Sequence, residues 1–328
     1  MNNNIIKWFE LLIKHIEFYI DIKKGQDKLN YTFKLKAISN ALNIIRSIKH
    51  KIKNGDEMKQ YKGIGDKIAG RIDEIINTGQ LAEVRNSDIS GEHLAYVDEL
   101  MKIFGIGRVK AYELYTKHNI KSITELKQAV KEGIIELPEN IIKGIKYVNK
   151  LKTNIPREII DKIYSKLIYA GILCDPSMDV RVCGSYRREQ LTSNDIDVII
   201  THPNIITLEQ TKKSNLMLKF IKILEHKKII IESLTADDVK TKYMGICKLK
   251  NLYRIDIRFI PWESYYTALL YFTGSMEFNR RMRGIALSMD YTLNEYRLLD
   301  NKGKIIKADS EQDIFDALHM EYMTPNER

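Results

Sequence analysis

The sequence predicts a multidomain chain with an all-helical N-terminal half and an α+β C-terminal half. Apolar residues recur at helical spacing up to about residue 150. Beyond Ile155-Pro156, runs of alternating apolar and polar residues predict strands. A Gly-Ile-Gly motif also occurs twice in the first half, between predicted helices. Helices followed by mixed elements imply at least two domains, with a boundary near residue 153.

The individual elements follow from the period of the apolar residues. Helices are predicted at 5–20, 35–48, 68–76, 94–101, 109–115, 123–130, 157–171 and 265–287. Strands are predicted at 180–183, 195–201, 228–233, 243–249 and 253–260, with a short strand pair at 291–299 and 304–307.

Composition narrows the possible classes of protein. The 328 residues carry 53 Lys and Arg against 43 Asp and Glu, a net charge of +10. This excess indicates a polyanionic partner, although solubility alone explains it about as well. The cysteines, Cys174, Cys183 and Cys247, lie far apart and favour neither a disulfide framework nor a zinc site. No apolar run is long enough to cross a bilayer, and charges interrupt the N-terminal apolar stretch, so we expect a soluble intracellular protein without a membrane partner.

The two glycine motifs belong to a short internal repeat, in which residues 61–69 resemble residues 103–111. Glycine permits a tight turn and the close approach of another backbone. The helix that follows presents free N–H groups to an anion. A helix junction without a ligand is the alternative, but two copies flanked by cations favour binding to DNA phosphates.

Three aspartates form the strongest chemical pattern. Asp195 and Asp197 lie two residues apart in a predicted strand that follows a Gly184-Ser185 turn, so both carboxylates project from one face. Asp256 lies in a second strand, between Arg254 and Arg258, and a salt bridge with these arginines is the alternative explanation for it. Neighbouring carboxylates repel each other unless cations lie between them, which predicts a site for two Mg²⁺ ions, with Mn²⁺ as a substitute.

These motifs, with the segment Leu270-Tyr271-Phe272-Thr273-Gly274-Ser275, resemble the family X DNA polymerases. The resemblance implies template-directed filling of short gaps in base excision repair, with dNTPs and gapped or nicked double-stranded DNA as substrates. It also implies a monomer, with a DNA ligase as a candidate partner. The implied parts are a lyase-like 5′-phosphate-binding domain (1–86), a helix-hairpin-helix subdomain (87–153), a nucleotidyltransferase palm (154–263) and a nucleotide-selecting subdomain (264–328). The expected location is the nucleus, or the cytoplasm or virion if the source is a cytoplasmic DNA virus.

The resemblance also assigns roles to individual residues. Catalysis and metal binding fall to Asp195, Asp197 and Asp256. Nucleotide binding falls to Gly184, Ser185, Arg188, Asn194, Asp195, Tyr271, Phe272, Gly274, Met276 and Asn279. Template or primer binding falls to Arg254, Arg258, Arg280, Arg283 and Tyr296. Backbone carbonyls would hold Na⁺ or K⁺ at Lys59, Tyr61, Ile64, Met101, Ile103 and Ile106. DNA phosphates would contact Lys34, Lys67, Lys110, Gly63, Gly65, Gly105 and Gly107.

Some positions depart from the family pattern. Met276 and Arg280 replace an Asp and a Lys, and Arg71 replaces the nucleophilic lysine of the lyase. Because a guanidinium stays protonated, the sequence predicts weak or absent lyase activity. A template-independent nucleotidyltransferase is the main alternative, which the short stretch 247–254 disfavours. Another alternative is a DNA-binding scaffold whose acidic residues have lost their catalytic role, which the presence of all three aspartates disfavours.

Overall fold

The structure is a computed structural model that describes residues 2–86, 91–235 and 239–328. It divides into two compact units, Met1–Ile141 and Ile142–Arg328. The predicted fold class, a helical N-terminal half followed by α+β structure, is confirmed. The finer division at 86/87, 153/154 and 263/264 stays a prediction, and its first boundary adjoins residues 87–90, which lie outside the described residues.

The described part of the first unit is built from helices. They are α1 (Asn3–Ile22), α2 (Gly25–Ser47), α3 (Asp66–Thr78), α4 (Ala82–Arg85), α5 (Gly91–Met101), α6 (Arg108–His118) and α7 (Ile123–Lys131), and α8 (Glu139–Tyr147) runs from this unit into the next. Ile5, Phe9, Leu12 and Ile16 recur every three or four residues along α1 and are all buried, because this spacing places them on one side of the helix. They form a core with residues of α2 and α3.

The second unit is organised around a five-stranded sheet. Its helices are α9 (Arg157–Cys174), α10 (Gly184–Arg187), α11 (Leu208–Lys213), α12 (Leu216–His226), α13 (Tyr265–Thr273), α14 (Met276–Ser288) and α15 (Glu311–Ala317). Its strands are β1 (Ile155–Pro156), β2 (Asp179–Val182), β3 (Thr192–Ser193), β4 (Ile196–Thr201), β5 (Ile230–Ser233), β6 (Lys242–Lys248), β7 (Leu252–Phe259), β8 (Thr292–Leu293), β9 (Leu298–Leu299) and β10 (Ile305–Ile306). The large sheet has the order β2-β4-β7-β6-β5, and only the pair β4–β7 is parallel within it.

The two faces of this sheet have different environments. Ile196, Val198 and Ile200 of β4 lie in the core that α9 and α12 share with the sheet. Ile199, which points the other way, packs with Ala268 of α13. Because alternate residues of a strand face opposite sides, Asp197 lies on the face away from α9 and α12.

One helical prediction needs correction, and two helices in the second unit were not predicted. The stretch 265–287 is two helices, because α13 ends at Gly274, whose φ of 72° is disfavoured for residues with a side chain, and α14 begins after Ser275 caps it. Helices α11 and α12 lie between β4 and β5, where no element was predicted. The short strand pair is a three-stranded sheet of order β10-β9-β8. Within the described residues, no helix combines the length and apolarity needed to span a membrane.

Candidate active site

Asp195, Asp197 and Asp256 meet at the centre of the large sheet. Asp197 on β4 is the register partner of Asp256 on the parallel strand β7, and Asp195 directly precedes β4. Each carboxylate offers an oxygen, and these oxygens all lie within 4.8 Å of one another. The parallel register therefore brings together Asp197 and Asp256, which are 59 residues apart in the sequence.

The electrostatics of this cluster favour a bound cation. Burial, and then the charges of Asp195 and Asp256, raise the pKa of Asp197 to about 7. Burial also raises the pKa of Asp256, against the opposing effect of Arg254. The Arg254 Nη2 donates to Asp195 Oδ2 at 2.7 Å and to Asp256 Oδ2 at 2.8 Å.

A divalent metal ion fits the residues present. Asp256 Oδ1 is buried and has no hydrogen-bond partner, which is costly for a polar atom unless a ligand occupies the position beside it. Carboxylate oxygens are the donors that hard divalent cations prefer. The three aspartates are therefore able to hold a metal ion.

The Gly184-Ser185 turn lies directly against this cluster. Gly184 has a φ of 57°, and a Cβ at this position would collide with Asp197 Oδ2. The Cys183 N–H donates to the Asp197 carbonyl at 2.8 Å, and the Ser185 hydroxyl lies 2.7 Å from the Ser193 hydroxyl. Only glycine permits the backbone to approach the carboxylates so closely here.

A cavity of about 650 Å³ opens beside the aspartates. Its lining contains all ten predicted nucleotide-binding residues, together with Asp197, Thr273, Ser275, Arg280 and Arg283. The remaining predicted template or primer residues do not line it. Arg254 and Arg258 lie on β7, and Tyr296 lines a second cavity of about 520 Å³.

Aromatic residues and cations shape one wall of the cavity. The Arg283 guanidinium lies 4.8 Å from the Tyr271 ring centroid and 3.5 Å from Glu295. The Asn279 side-chain amide donates to the Tyr271 carbonyl at 2.7 Å. Met276 projects into the opening and is largely exposed.

Thr273 is a positioning residue that the sequence motifs did not single out. Its hydroxyl accepts from Arg187 Nη1 at 2.6 Å, and its carbonyl accepts from Arg188 Nη1 at 2.5 Å. Two arginines of the Gly184-Ser185 segment thus hold the end of α13, next to Gly274. The only signal in the sequence was the position of Thr273 within the segment 270–275.

A buried carboxylate, Glu311, supports the same arginine. Arg187 donates to both Glu311 oxygens, at 3.0 and 2.7 Å, and Arg328 Nη1 donates to Oε1 at 2.7 Å. Burial opposes ionisation of Glu311, but these hydrogen bonds outweigh it and lower its pKa. Nothing in the sequence pattern pointed to this network, since Arg187 and Glu311 are 124 residues apart.

The two glycine motifs adopt matching turns. Ile64 N–H donates to the Tyr61 carbonyl and Ile106 N–H to the Ile103 carbonyl, each at 3.1 Å. The carbonyls of both turns thus belong to residues predicted to hold Na⁺ or K⁺. Of the other four predicted residues, Ile64 and Ile106 close the two turns, and Lys59 and Met101 each lie two residues before a turn carbonyl.

The glycines within each motif have different environments. Gly63 and Gly105 have φ values of 101° and 86°, so the turn itself requires glycine. Gly65 and Gly107 cap α3 and α6, and a Cβ at either position would meet no atom within 4 Å. The second glycine of each motif therefore faces open space.

Two of the three lysines predicted to bind DNA phosphates, Lys34 and Lys110, are paired with carboxylates. Glu83 contacts Lys34, and accepts from Arg71 Nε at 2.6 Å. Arg71 Nη1 also donates to the Lys67 carbonyl at 3.1 Å. Lys110 lies 3.2 Å from Glu113.

Comparison with known proteins identifies the family to which this architecture belongs. Family models match the chain as a helix-hairpin-helix domain over residues 1–81, a DNA polymerase beta palm over residues 154–262 and a DNA polymerase beta thumb over residues 268–328. The chain belongs to family X of the DNA polymerases. The palm match includes all three aspartates, and the thumb match includes the aromatic segment from Leu270 onwards.

Individual relatives of this family X chain show moderate identity. DNA polymerase lambda of Arabidopsis thaliana is 27% identical over the whole of this chain and 62% of its own length. DNA polymerase lambda of Rattus norvegicus is 25% identical over 88% of this chain and 51% of its own length. DNA nucleotidylexotransferase of Xenopus laevis is 25% identical over 98% of this chain and 67% of its own length. The chain therefore spans only about half to three-fifths of the two polymerase lambda relatives.

Proposed function

We propose that this chain is a DNA-directed DNA polymerase that fills short gaps in DNA during base excision repair. The observation that carries the proposal is the convergence of Asp195, Asp197 and Asp256 beside a cavity lined by Ser185, Arg188 and an aromatic wall. Such a site suits transfer of a nucleotide from a dNTP to a primer. The 3′-hydroxyl oxygen bonds to the α-phosphorus, and pyrophosphate leaves as the bond to its bridging oxygen breaks.

The three aspartates would hold two Mg²⁺ ions, for which Mn²⁺ can substitute. When bound, the ions lower the pKa of the attacking hydroxyl and neutralise charge on the phosphates and on the pyrophosphate. Asp256 is the group that would accept the proton of the 3′-hydroxyl. Arg254 holds the Asp256 carboxylate in place by donating to Oδ2.

The residues around the cavity would bind the nucleotide. Ser185 and Arg188 supply a hydroxyl and a guanidinium for phosphate oxygens. Tyr271 and Phe272 with Gly274 form a close-fitting wall for the sugar, and Asn279 is a hydrogen-bond donor for the base.

The glycine motifs would bind the DNA backbone. Their second glycines face open space and precede the free N–H groups of α3 and α6, so a phosphate can approach the backbone. Na⁺ or K⁺ held by the turn carbonyls would add a positive charge at the same point. Gapped or nicked double-stranded DNA is therefore the proposed partner, and a DNA ligase is a candidate to seal the filled product.

Dependence on a template separates this proposal from its main alternative. One relative of the chain is a DNA nucleotidylexotransferase, so untemplated addition is a second candidate. The turn that joins β6 to β7 contains only residues 249–251, which leaves no long loop to take the place of a template strand. This short turn favours templated synthesis.

Primer extension tests the proposal directly. We expect incorporation of the complementary nucleotide on a one-nucleotide gap with a 5′-phosphate, less on an open primer-template, and none on a single strand. Efficient addition to the single strand would support the transferase instead. Absence of incorporation on every substrate, with DNA binding retained, would favour a DNA-binding scaffold without catalytic activity.

A further inference from the structure

Helix α9 carries an exposed apolar surface on its C-terminal half. Ile168, Tyr169, Ile172 and Leu173 follow the i, i+1, i+4, i+5 spacing that places side chains on one side of a helix. Leu218 of α12 extends the surface. These five side chains, which we call the α9–α12 face, are between 39% and 55% exposed. Single exposed apolar residues are common in soluble proteins, but a contiguous group marks an interaction surface.

A groove with cationic edges adjoins this face at Leu173 and Leu218. It has a volume of about 630 Å³, and Leu173, Leu218 and Ile223 are its apolar lining residues. Lys219, Lys222 and Lys227 line it together with His226, and none of its described lining residues is a carboxylate. The groove therefore presents apolar side chains and positive charge together.

Two contacts fix this arrangement of charge. The Lys227 ammonium lies 4.9 Å from the Tyr169 ring centroid, which joins the cationic edge to the apolar surface. Lys219 donates to the Cys174 carbonyl at the C-terminal end of α9. Because these lysines are held by α9, their charge stays beside the apolar side chains.

The α9–α12 face lies on the side of the sheet opposite the aspartates. The inward sides of α9 and α12 cover Ile196 and Val198, whereas Asp197 points to the other side of β4. An occupant of this face would therefore leave the carboxylates and their cavity accessible.

We propose that the α9–α12 face docks an acidic amphipathic helix of a partner protein. Large apolar side chains on one side of such a helix would enter the groove, and flanking Asp or Glu residues would meet Lys222 and Lys227. Aliphatic side chains at the centre of the face offer a phosphate backbone no partner, which disfavours nucleic acid. The concave groove suits a rod-like helix better than a flat lipid surface. The inference does not depend on the proposed polymerase activity.

Fluorescence anisotropy with designed peptides tests this docking site on the full chain. The probe is a labelled helical peptide with leucines at i, i+3, i+4 and i+7 and glutamates at its other positions. Two control peptides replace the leucines by serine or the glutamates by lysine. We expect the probe to bind at least about tenfold more tightly than either control, since both the apolar and the charged contacts contribute.

Variants of the chain locate the binding. We expect Ile172→Ser with Leu218→Ser, and separately Lys222→Glu with Lys227→Glu, to weaken probe binding by about tenfold or more. Ile134→Ser, at an apolar residue that is 64% exposed in the other unit, and Lys127→Glu are matched controls that should change nothing. All four should keep the wild-type melting temperature, which shows that the fold is intact.

Three results would overturn the proposal. The first is a probe that binds no more tightly than the serine control, or equally well to Ile172→Ser with Leu218→Ser. The second is a single-stranded oligonucleotide, or a vesicle of phosphatidylserine in phosphatidylcholine, whose binding requires these residues when probe binding does not. The third is a dimer in sedimentation experiments that Ile172→Ser dissociates, since a second copy of the chain would then be the occupant.

Discussion

At the scale of single residues, the three aspartates have distinct surroundings. Asp197 is held near the Gly184 turn, and its burial among like charges raises its pKa to about 7. Asp195 and Asp256 share the Arg254 guanidinium. Asp256 Oδ1 is a fully buried oxygen without a hydrogen-bond partner. The Asp256 side chain therefore has an oxygen free for a ligand.

Asp256→Ala should remove nucleotide incorporation and leave DNA binding almost unchanged. The carboxylate contributes to charge stabilisation in the transition state, which is worth several kcal/mol, so we expect the rate to fall by more than about 100-fold. Single-turnover incorporation and DNA titration measure the two properties. Asp309→Ala, at an exposed carboxylate paired with Lys307, is the matched control. Activity of Asp256→Ala within about tenfold of wild type would contradict the mechanism.

The contact between Arg71 and Glu83 leads to a prediction about lyase chemistry. A Schiff base requires a neutral amine, and a guanidinium cannot supply it. Burial opposes ionisation of Glu83, but hydrogen bonds from Arg71 and Lys34 lower its pKa, so Glu83 stays charged at neutral pH. We therefore expect weak borohydride trapping on an incised abasic substrate.

Two variants separate the nucleophile from its environment. Arg71→Lys should restore little trapping, because the Glu83 carboxylate favours the protonated ammonium. Arg71→Lys with Glu83→Gln should trap several-fold more than Arg71→Lys alone. Efficient trapping by the wild type, abolished by Lys34→Ala or Lys67→Ala, would show that a neighbouring lysine acts instead.

At the scale of elements, the glycine motifs separate folding from DNA binding. Gly107→Ala meets no atom within 4 Å and needs no unusual backbone angle, so the melting temperature should stay unchanged. Its methyl group would still obstruct a phosphate, and DNA affinity should fall several-fold. Gly105→Ala should destabilise the chain by more than about 1 kcal/mol, because its φ of 86° disfavours alanine. Equal DNA affinity of Gly107→Ala and wild type would show that the motif does not approach DNA.

The Glu311 network joins α10 to α15 and makes stability dependent on pH. Glu311→Gln leaves two largely buried guanidiniums without a carboxylate, which should lower the free energy of unfolding by about 3 kcal/mol or more. Because the pKa of Glu311 is lowered from its ordinary value of 4.5, its contribution is complete above pH 4.5 and is lost as the pH falls through the folded-state pKa. Urea unfolding at several pH values should therefore show a difference in the free energy of unfolding between wild type and Glu311→Gln that is constant above about pH 5 and narrows in acid. A free-energy difference at pH 3.5 equal to that above pH 5 would show that the Glu311 carboxylate is not the source of the stability.

The sequence predicted elements well where the pattern was local. Alternation located β4 and β7, and the two-residue spacing of Asp195 and Asp197 located the carboxylates. Helix α12 was not predicted, although Met217, Phe220, Ile221 and Leu224 recur at helical spacing. The break between α13 and α14 at Gly274 was not predicted either. The partners of Arg187 and Lys34 were also hidden, because Glu311 and Glu83 are distant in sequence and carry no motif.

At the scale of the whole molecule, the net charge of +10 and the two glycine motifs predict how DNA affinity depends on salt. If Lys and Arg side chains neutralise about six to ten phosphates, affinity should fall by about 10³–10⁵ between 50 and 200 mM KCl. Gapped duplexes of different sequence should bind almost equally, because phosphate contacts carry no base information. Lys110→Ala should reduce the slope of log affinity against log salt by about one, whereas Gly107→Ala should lower affinity and keep the slope. Titrations at four salt concentrations measure both quantities. A slope near zero, or a strong sequence preference, would show that something other than the phosphate backbone holds the DNA.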